Sequence, residues 1–404
     1  MLRQYIYTER AHLMCPNMYF GIAETVNSPF DPEKITDTFQ KLSFAHPFLR
    51  ALLGYEENSN RYYHDITDSL KAEIIQYNAE AESFGSKTIL DTYQRLTAKD
   101  WDLRREGMLK VVFWNTMGKT CALFVFHHLL ADGRAAQHLA AEFARIYVYG
   151  GECEYVPEHI ISDKSELPSL PFIGRMIISR LNNKWQEEKH IVTYDEYYSF
   201  ANEYLERDRV IHKTLEFDEE SLKKLISECK ENGVSVNDYL LAKMMIEDKT
   251  NKIVIAQDIR SKLKCWNPGA LGNYSTAMSI VCKPRSNDIM REAKRVRLAV
   301  KKRTGNPRSA MTVLSGYALM NPGLIDAVAI STLGKWPSKA GAFVGSKMFG
   351  YRQRNGYCIT NLGAFEEAAI DNAMFIPPAS PAMKKTLGIL TLNGKMVVCS
   401  SERE

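Results

Sequence analysis

The amino-acid sequence predicts an α/β protein made of two lobes with mixed sheets. The 404 residues are 45% hydrophobic and 25% charged, which suffices for two domains with sizeable cores. β-rich runs and amphipathic segments alternate along the chain without the strict strand–helix–strand rhythm of a parallel sheet. The pattern restarts near residue 210 with a capped helix, as in the first half. We therefore place a first lobe at 1–150, a crossover at 151–209 and a second lobe at 210–404.

Capping and turn residues mark the elements of the first half. Asp31 is a candidate N-cap with Pro32 at the first helical position, and Pro47 ends the helical pattern. "NRYYHDI" reads as a short strand, and "NTMGK" joins the strands "MLKVVFW" and "TCALFVF" in a hairpin. The second strand leads into "HHLLADG", and a helix follows Gly133 and stops at Gly150. The motif therefore lies at a strand–loop–helix junction.

The crossover is rich in proline and aromatic residues and has room for one or two helices. In the second half, Asp218 and Ser235 cap two predicted helices. "KIVIAQDIR" reads as a buried strand, "NDIMREAKRVRLAVKKR" as a basic helix and "GYCITNLGAF" as a strand ending in a glycine turn. The turn residues Asn393 and Gly394 predict a closing hairpin.

Composition limits the function classes. The net charge of +4 and the pI near 8.4 are too mild for a nucleic-acid partner, although they suit an anionic ligand. The N-terminus lacks a secretory signal pattern, and no apolar run approaches the roughly 20 residues that span a bilayer. The eight cysteines are scattered without zinc spacing. We expect a cytoplasmic protein with no metal site and no membrane span.

The two adjacent histidines are the first candidates for chemistry. Successive side chains of a strand alternate, so His127 and His128 point to opposite faces, which argues against a metal site made of both. A neutral imidazole is well suited to accept a proton near pH 7. The alternative is that the two histidines only cap the end of a core strand and have no chemical role. Two histidines followed by Asp132 and Gly133 at a helix start favour the functional interpretation.

Two further residues of the junction carry chemical hypotheses. Asp132 either orients a histidine, as in a triad, or pairs with an arginine to fix the loop. Gly133 permits a tight turn, and its N–H at the helix start suits a developing oxyanion. The chain has no G-x-S-x-G elbow and no G-x-G-x-x-G loop. A base that activates the substrate directly is therefore the economical mechanism.

The pattern HHxxxDG resembles the signature of the chloramphenicol acetyltransferase-like superfamily, which includes condensation domains, acyl-CoA acyltransferases and alcohol acetyltransferases. Other segments resemble this family in the same order along nearly the whole chain. They are "HPFLR" from His46, the D-x-R of Asp258 and Arg260, Gly272–Asn273, and "ITNLG". The resemblance implies two acetyltransferase-like lobes with an active-site tunnel between them.

The resemblance also implies roles for single residues. His128 would be the general base that deprotonates a hydroxyl or amine as it attacks an acyl thioester in a ternary complex, and His127 would be structural. Asp132 would form an ion pair with Arg260, with Arg134 as the rival partner. The Gly133 amide would be the oxyanion donor.

Other implied roles concern the substrates. Thr360, Asn361, Gly363 and Asn273 would line the tunnel. No cofactor would be permanently bound, because acyl-CoA would be a co-substrate alongside a small-molecule acceptor. A basic run ends at Lys301 and Lys302 and could meet the phosphates of coenzyme A or the acidic face of a carrier protein, although such a run is more often a solvated helix face.

Three function classes stay open. The first is a free-standing acyltransferase, probed with acyl-CoA. The second is a carrier-protein-dependent condensation-type enzyme, and the third is a non-catalytic binding module on the same fold. The plant-type "DFGWG" segment is absent and "TNLGAF" holds the comparable place, which favours the alcohol acetyltransferase or condensation-like branches. His127 and Asp132 also have the H-x4-D spacing of glycerolipid acyltransferases, which resemble the chain nowhere else.

Overall fold

The first half of the chain mixes strands and helices, and the predicted helices, strand and hairpin occur in it in the predicted order. The computed structural model describes residues 2–80, 87–162, 164–188, 191–335, 338–348 and 354–404. The elements of the first half are β1 Leu2–Tyr5, α1 Arg10–Leu13, β2 Tyr19–Val26, α2 Pro32–Ala45, β3 Ala51–Glu56, β4 Arg61–Ile66, β5 Glu73–Glu80, α3 Lys87–Thr97, β6 Leu109–Thr116, β7 Lys119–His127 and α4 Gly133–Tyr149.

The crossover and the second half continue this mixture. The crossover contains α5 Phe172–Glu188 and α6 Tyr194–Leu205. The second half contains β8 Val210–Phe217, α7 Glu219–Glu231, α8 Val236–Glu247, β9 Lys252–Asp258, β10 Ser275–Val281, α9 Ile289–Thr304, α10 Pro307–Tyr317, α11 Pro322–Ile330, α12 Lys339–Phe343, β11 Gly356–Phe365, β12 Ile370–Ile376, β13 Met383–Leu392 and β14 Lys395–Arg403.

The predicted local signals form as expected. Asp31 accepts hydrogen bonds from two backbone N–H groups at the start of α2. Ser235 forms a capping box with Asp238 at the start of α8. Both hairpin turns use left-handed residues followed by glycine, at Met117–Gly118 between β6 and β7 and at Asn393–Gly394 between β13 and β14.

Two mixed sheets form the lobes, as the sequence predicts. The first has the strand order β12-β2-β7-β6-β5 and the second the order β10-β9-β11-β13-β14-β8. Each contains both parallel and antiparallel pairs. A small antiparallel sheet, β1-β4-β3, completes the described strands. The largest apolar core lies mainly in the first half but includes the buried side chains of β12, and the second lies mainly in the second half.

Strand β12 crosses the predicted division at residue 210. It belongs to the second half of the chain, yet it pairs with β2 at the edge of the first sheet. Its apolar side chains from Ala373 to Ile376 are buried there. The predicted boundaries therefore do not separate two independent sheets. In β11, Gly363 lies inside the strand at a register shift, where the sequence analysis expected a terminal turn.

No single helix among the described residues is long and apolar enough to span a membrane. One pair, Ala310–Tyr317 with Pro322–Leu333, reaches the length and composition together, and it is bent by 112°.

Candidate active site

The two histidines leave the first sheet where β7 ends. The backbone N–H of His127 donates to the carbonyl of Met108, and that of His128 donates to the carbonyl of Met18 at 2.7 Å. These bonds fix the direction in which each side chain leaves the strand. His127 is buried and His128 is half-buried, as expected for neighbours on opposite faces of a strand.

His127 is held in the core. Its Nδ1 accepts a hydrogen bond from the backbone N–H of Leu129 at 3.1 Å, and its ring meets Tyr19 edge-on at 5.2 Å. Burial lowers the pKa of His127 to about 3. The ring is therefore neutral at pH 7 and packs as a structural residue.

Asn273 selects the tautomer of His128. The Asn273 amide nitrogen donates to the His128 carbonyl at 2.8 Å, so the amide oxygen faces Nδ1, also at 2.8 Å. Nδ1 must therefore carry the proton, which leaves a lone pair on Nε2. Nε2 has no hydrogen-bond partner among the described residues and is not one of their buried unpartnered atoms. The arrangement presents a basic nitrogen to solvent.

The charge state of His128 fits a base. Burial lowers the pKa of His128 below its ordinary 6.5, although Asp132 and the bond to Asn273 oppose that shift. The ring is therefore mostly unprotonated at pH 7 and is able to accept a proton.

Asp132 ties the helix start to the second half of the chain. One carboxylate oxygen accepts from the backbone N–H groups of Arg134 and Ala135 as the N-cap of α4, and also from Arg260 Nη2 at 2.6 Å. The other oxygen accepts from the backbone N–H of Tyr274 at 2.8 Å. Asp132 therefore joins Arg260, as the resemblance implied, and none of its hydrogen-bond partners among the described residues is a histidine.

The rival partner of Asp132 is engaged elsewhere. Arg134 forms an ion pair with Asp258 at 2.9 Å. Its side chain is 50% exposed, whereas that of Arg260 is 12% exposed. The D-x-R segment thus pairs with both charged residues of the junction: Arg260 forms a buried ion pair with Asp132, and Asp258 forms an exposed one with Arg134.

A second buried carboxylate holds the loop that presents Asn273. Glu158 accepts from His46 Nδ1 at 2.8 Å and from the backbone N–H groups of Phe48 and Leu271. His46 lies between Glu158 and Glu142, which raise its pKa to about 9 against the opposing effect of burial. The charged triplet therefore links α2, α4 and the loop before Asn273.

The "ITNLG" segment of β11 lies beside the start of α4. The Leu362 side chain is so close to Gly133 that a Cβ there would approach it to 2.6 Å. Gly363 has a φ of +90°, in the region that favours glycine. A Cβ built on it would lie 3.5 Å from the Arg134 guanidinium. Thr360 is half-buried and Asn361 is exposed, with its side chain accepting from the Gly363 N–H. A side chain at position 133 would therefore require Leu362 to shift.

Sequence analysis missed a third histidine at this site. The His12 ring, in α1, stacks on the His128 ring with centroids 4.5 Å apart and planes 12° apart. Burial lowers the pKa of His12 well below its ordinary value, and the two neighbouring histidines lower it further. His12 is isolated in the sequence and belongs to no motif, so no spacing signal could have found it.

The segment that carries His12 is anchored by unusual buried charges. Arg10 forms an ion pair at 2.6 Å with Asp326 of α11, and both side chains are almost fully buried. Glu9 is 2% exposed, and its Oε1 has no partner among the described residues. Burial raises the pKa of Glu9 to about 7. The N-terminal segment therefore holds an ionisable acid within one helical turn of His12.

Lys301 and Lys302 lie elsewhere. Both are exposed in the last turn of α9. Among the described residues, no hydrogen bond or ion pair joins either lysine to the site. Earlier in the same helix Arg295 pairs with Glu292, and Arg297 with Asp238 at 3.1 Å.

Comparisons with known proteins support the fold. No family model matches the chain, and no curated protein matches it in sequence. Among solved structures, the epimerization domain of the third module of tyrocidine synthetase B has a TM-score of 0.59 at 15% identity, covering 100% of this chain and 92% of that one. Polyketide synthase associated protein 5 from Mycobacterium tuberculosis gives 0.59 at 13%, covering 99% and 92%.

The first condensation domain of the calcium-dependent antibiotic synthetase, in complex with a substrate analogue, gives a TM-score of 0.63 at 11% identity and covers 99% of this chain and 91% of its own. The chain therefore has the two-lobed fold of condensation domains, which is the chloramphenicol acetyltransferase-like fold expected from the motif. Identities this low show the fold alone.

Proposed function

We propose that this protein is an acyltransferase that moves an acyl group from a pantetheine thioester to a hydroxyl or amine, with His128 as the general base. The observation that carries the proposal is the pair of hydrogen bonds between His128 and Asn273, which place the proton on Nδ1 and leave Nε2 free to accept one.

The reaction follows from that tautomer. Nε2 takes the proton of the acceptor hydroxyl or amine as its oxygen or nitrogen attacks the thioester carbon. The carbonyl oxygen becomes an oxyanion, for which the Gly133 N–H at the start of α4 is the proposed donor. The C–S bond then breaks, and the departing thiolate takes the proton back from the His128 imidazolium. Acyl donor and acceptor thus react directly in a ternary complex.

The other residues have supporting roles in this proposal. Asp132 and Arg260 fix the loop between β7 and α4, and His127 anchors the strand end. Thr360, Asn361, Gly363 and Asn273 line the tunnel by which the substrates arrive. Acyl-CoA is the proposed donor and co-substrate, and no permanently bound cofactor is required by these steps.

A carrier-protein-bound thioester is the second candidate donor. It is favoured by the fold neighbours, two of which are the condensation domain and the epimerization domain of peptide synthetases. Both donors present the same pantetheine thioester, so the chemistry at His128 is unchanged.

The decisive experiment measures thiol release from a panel of acyl-CoAs and acyl-carrier proteins, each with alcohol and amine acceptors. We expect wild type to turn over at least one pair, and His128→Gln to lose at least about a hundredfold in kcat with an unchanged melting temperature. His138→Gln is the matched control, because His138 lies on α4 with a 48% exposed side chain.

Each outcome discriminates. Turnover with acyl-carrier proteins but not with acyl-CoAs assigns the condensation-type donor. Full activity of His128→Gln contradicts the general-base role. Tight binding of an acyl thioester without transfer to any acceptor identifies a binding module and refutes the enzyme.

A further inference from the structure

Helix α5 presents a large apolar face to solvent. Phe172 is 71% exposed, Ile173 66%, Met176 37% and Ile177 40%. Single exposed hydrophobic side chains are common on protein surfaces. Four within six residues form a contiguous patch, and such patches mark sites of interaction.

The exposed patch is not the packing face of the helix. Ile178, Leu181 and Trp185 recur at helical spacing and are buried in a small core with α11 and α12. The exposed side chains lie on the opposite side of the same helix at 3.6 residues per turn. The helix is thus apolar on two sides, and the protein's own core explains only one.

The surroundings of the patch are basic. Between Phe172 and Gln186 the helix carries Arg175, Arg180 and Lys184 and no acidic residue. These three cations form no ion pair within the described part of the chain. Glu188, at the far end, accepts from the Lys339 N–H at 2.6 Å and so faces α12.

The basic end of α9 reaches the same place. Phe172 and Arg175 line a cavity of about 680 Å³ together with Arg303. Lys301 and Lys302, which precede Arg303 in the last turn of α9, are exposed and have no ion pair among the described residues. The apolar patch is therefore bordered by positive charge from two helices.

We propose that α5 docks this protein onto an anionic lipid surface, with its apolar face in the headgroup–acyl boundary and the basic side chains on lipid phosphates. An exposed helix face with large apolar side chains and flanking cations is the composition of interfacial helices, and each cation near such a surface adds attraction. The cations that border the patch are complementary to lipid phosphates, which favours an anionic lipid surface over an apolar protein partner. The inference is independent of the proposed acyl transfer.

The test is co-sedimentation of the full chain with vesicles of phosphatidylcholine alone and of equal parts phosphatidylcholine and phosphatidylglycerol. We expect binding to the anionic vesicles that weakens as salt rises. The double variants Phe172→Ser with Ile173→Ser, and Lys301→Glu with Lys302→Glu, should each lower the partition coefficient at least about tenfold.

Matched controls come from the same chain. Phe44→Ser removes an aromatic ring that is 70% exposed on α2. The pair Lys223→Glu with Lys224→Glu reverses two adjacent exposed lysines on α7. Both should bind vesicles as wild type does, and the melting temperatures of all four variants should match wild type, because only exposed side chains change.

The opposing results are distinct. Wild type that stays in the supernatant with anionic vesicles overturns the proposal, whether it is monomeric or sediments as a dimer that the Phe172 and Ile173 substitutions dissociate. Binding that survives those apolar substitutions and follows charge alone overturns docking by α5. Equal losses in the controls do the same.

Discussion

Two segments approach the His128 ring, and they hold it by different physics. The loop after β9 contributes directional bonds: Arg260 donates to Asp132, and the Asn273 amide oxygen accepts from the Nδ1–H of the ring itself. The N-terminal segment contributes the flat face of His12, and it is anchored by the buried ion pair between Arg10 and Asp326. The first side determines which nitrogen is basic. The second side covers one face of the ring, and burial lowers the pKa of His128.

The largest expected effect is on the free energy of unfolding, and it comes from a substitution that removes the ion pair between Asp132 and Arg260. Asp132→Ala leaves the Arg260 guanidinium, only 12% exposed, with the 3.3 Å contact to Asp258 and the face of the Tyr274 ring as its remaining partners among the described residues. Stranding a buried charge costs about 3–5 kcal/mol of unfolding free energy. We also expect activity to fall, because the start of α4 loses its cap. Chemical denaturation measures the change.

The exposed neighbour provides the control for this prediction. Arg134→Ala breaks the pair with Asp258, whose side chains are 50% and 32% exposed. Such a pair contributes about 0–1 kcal/mol. If Asp132→Ala costs no more than Arg134→Ala, the buried ion pair does not stabilise the junction.

The next largest effect concerns Glu9 in the N-terminal segment, where a substitution is expected to raise the free energy of unfolding. Burial raises the pKa of Glu9 from 4.5 to about 7, so the folded state binds this proton more tightly than the unfolded chain. Its contribution is complete below about pH 4.5 and is lost as the pH rises through about 7. Glu9→Gln, which resembles the protonated acid, should therefore raise stability at pH 8 by about 3 kcal/mol.

The pH dependence is the internal control for Glu9→Gln. Denaturation of both proteins across pH 4 to 8 should show stabilities that converge as the pH falls. A constant difference over this range would mean that packing, and not ionisation, separates the two proteins.

The two sides also differ in how far the sequence could predict them. Asp132 and Arg260 belong to the motifs that carry the family resemblance, and that resemblance implied their pairing, with Arg134 left as the rival. Asn273 was predicted as a tunnel residue, but its selection of the His128 tautomer depends on the rotation of an amide. The contact of His12 with His128 could not be predicted from the sequence, because ring stacking requires no particular residue pair and no fixed spacing.

The fold shows a similar limit. Capped helices and tight hairpins are local, so α2, α4 and the β13–β14 hairpin follow from residues near in sequence. The pairing of β12 with β2 joins segments more than 340 residues apart in the sequence. Alternating apolar residues predict a strand, yet they do not say which sheet edge it joins.

A third prediction removes the directional bond to the ring. Asn273→Ala releases Nδ1 and allows the proton to occupy Nε2, the nitrogen that must accept. Loss of a buried hydrogen-bonding partner costs about 1–3 kcal/mol, so we expect kcat to fall about 10- to 100-fold. Steady-state kinetics, with the acyl donor that the thiol-release panel identifies, measures the change in kcat. Unchanged kcat would show that the tautomer is set by another group.

The smallest expected effect tests the stacked face through a substitution pair at His12. His12→Phe keeps an aromatic ring over His128, whereas His12→Ala opens it to water. Because burial lowers the pKa of His128, the acid limb of kcat/KM should lie below pH 6.5 in wild type and in His12→Phe. In His12→Ala it should move up towards pH 6.5, with kcat at high pH changed only a few-fold, since ring contacts contribute about 0.5–1.5 kcal/mol. NMR titration of the His128 ring separates this shift from catalysis. If His128 has the same pKa in the Ala and Phe variants, shielding by His12 does not set the basicity of His128. The N-terminal segment then has only a packing role at the ring.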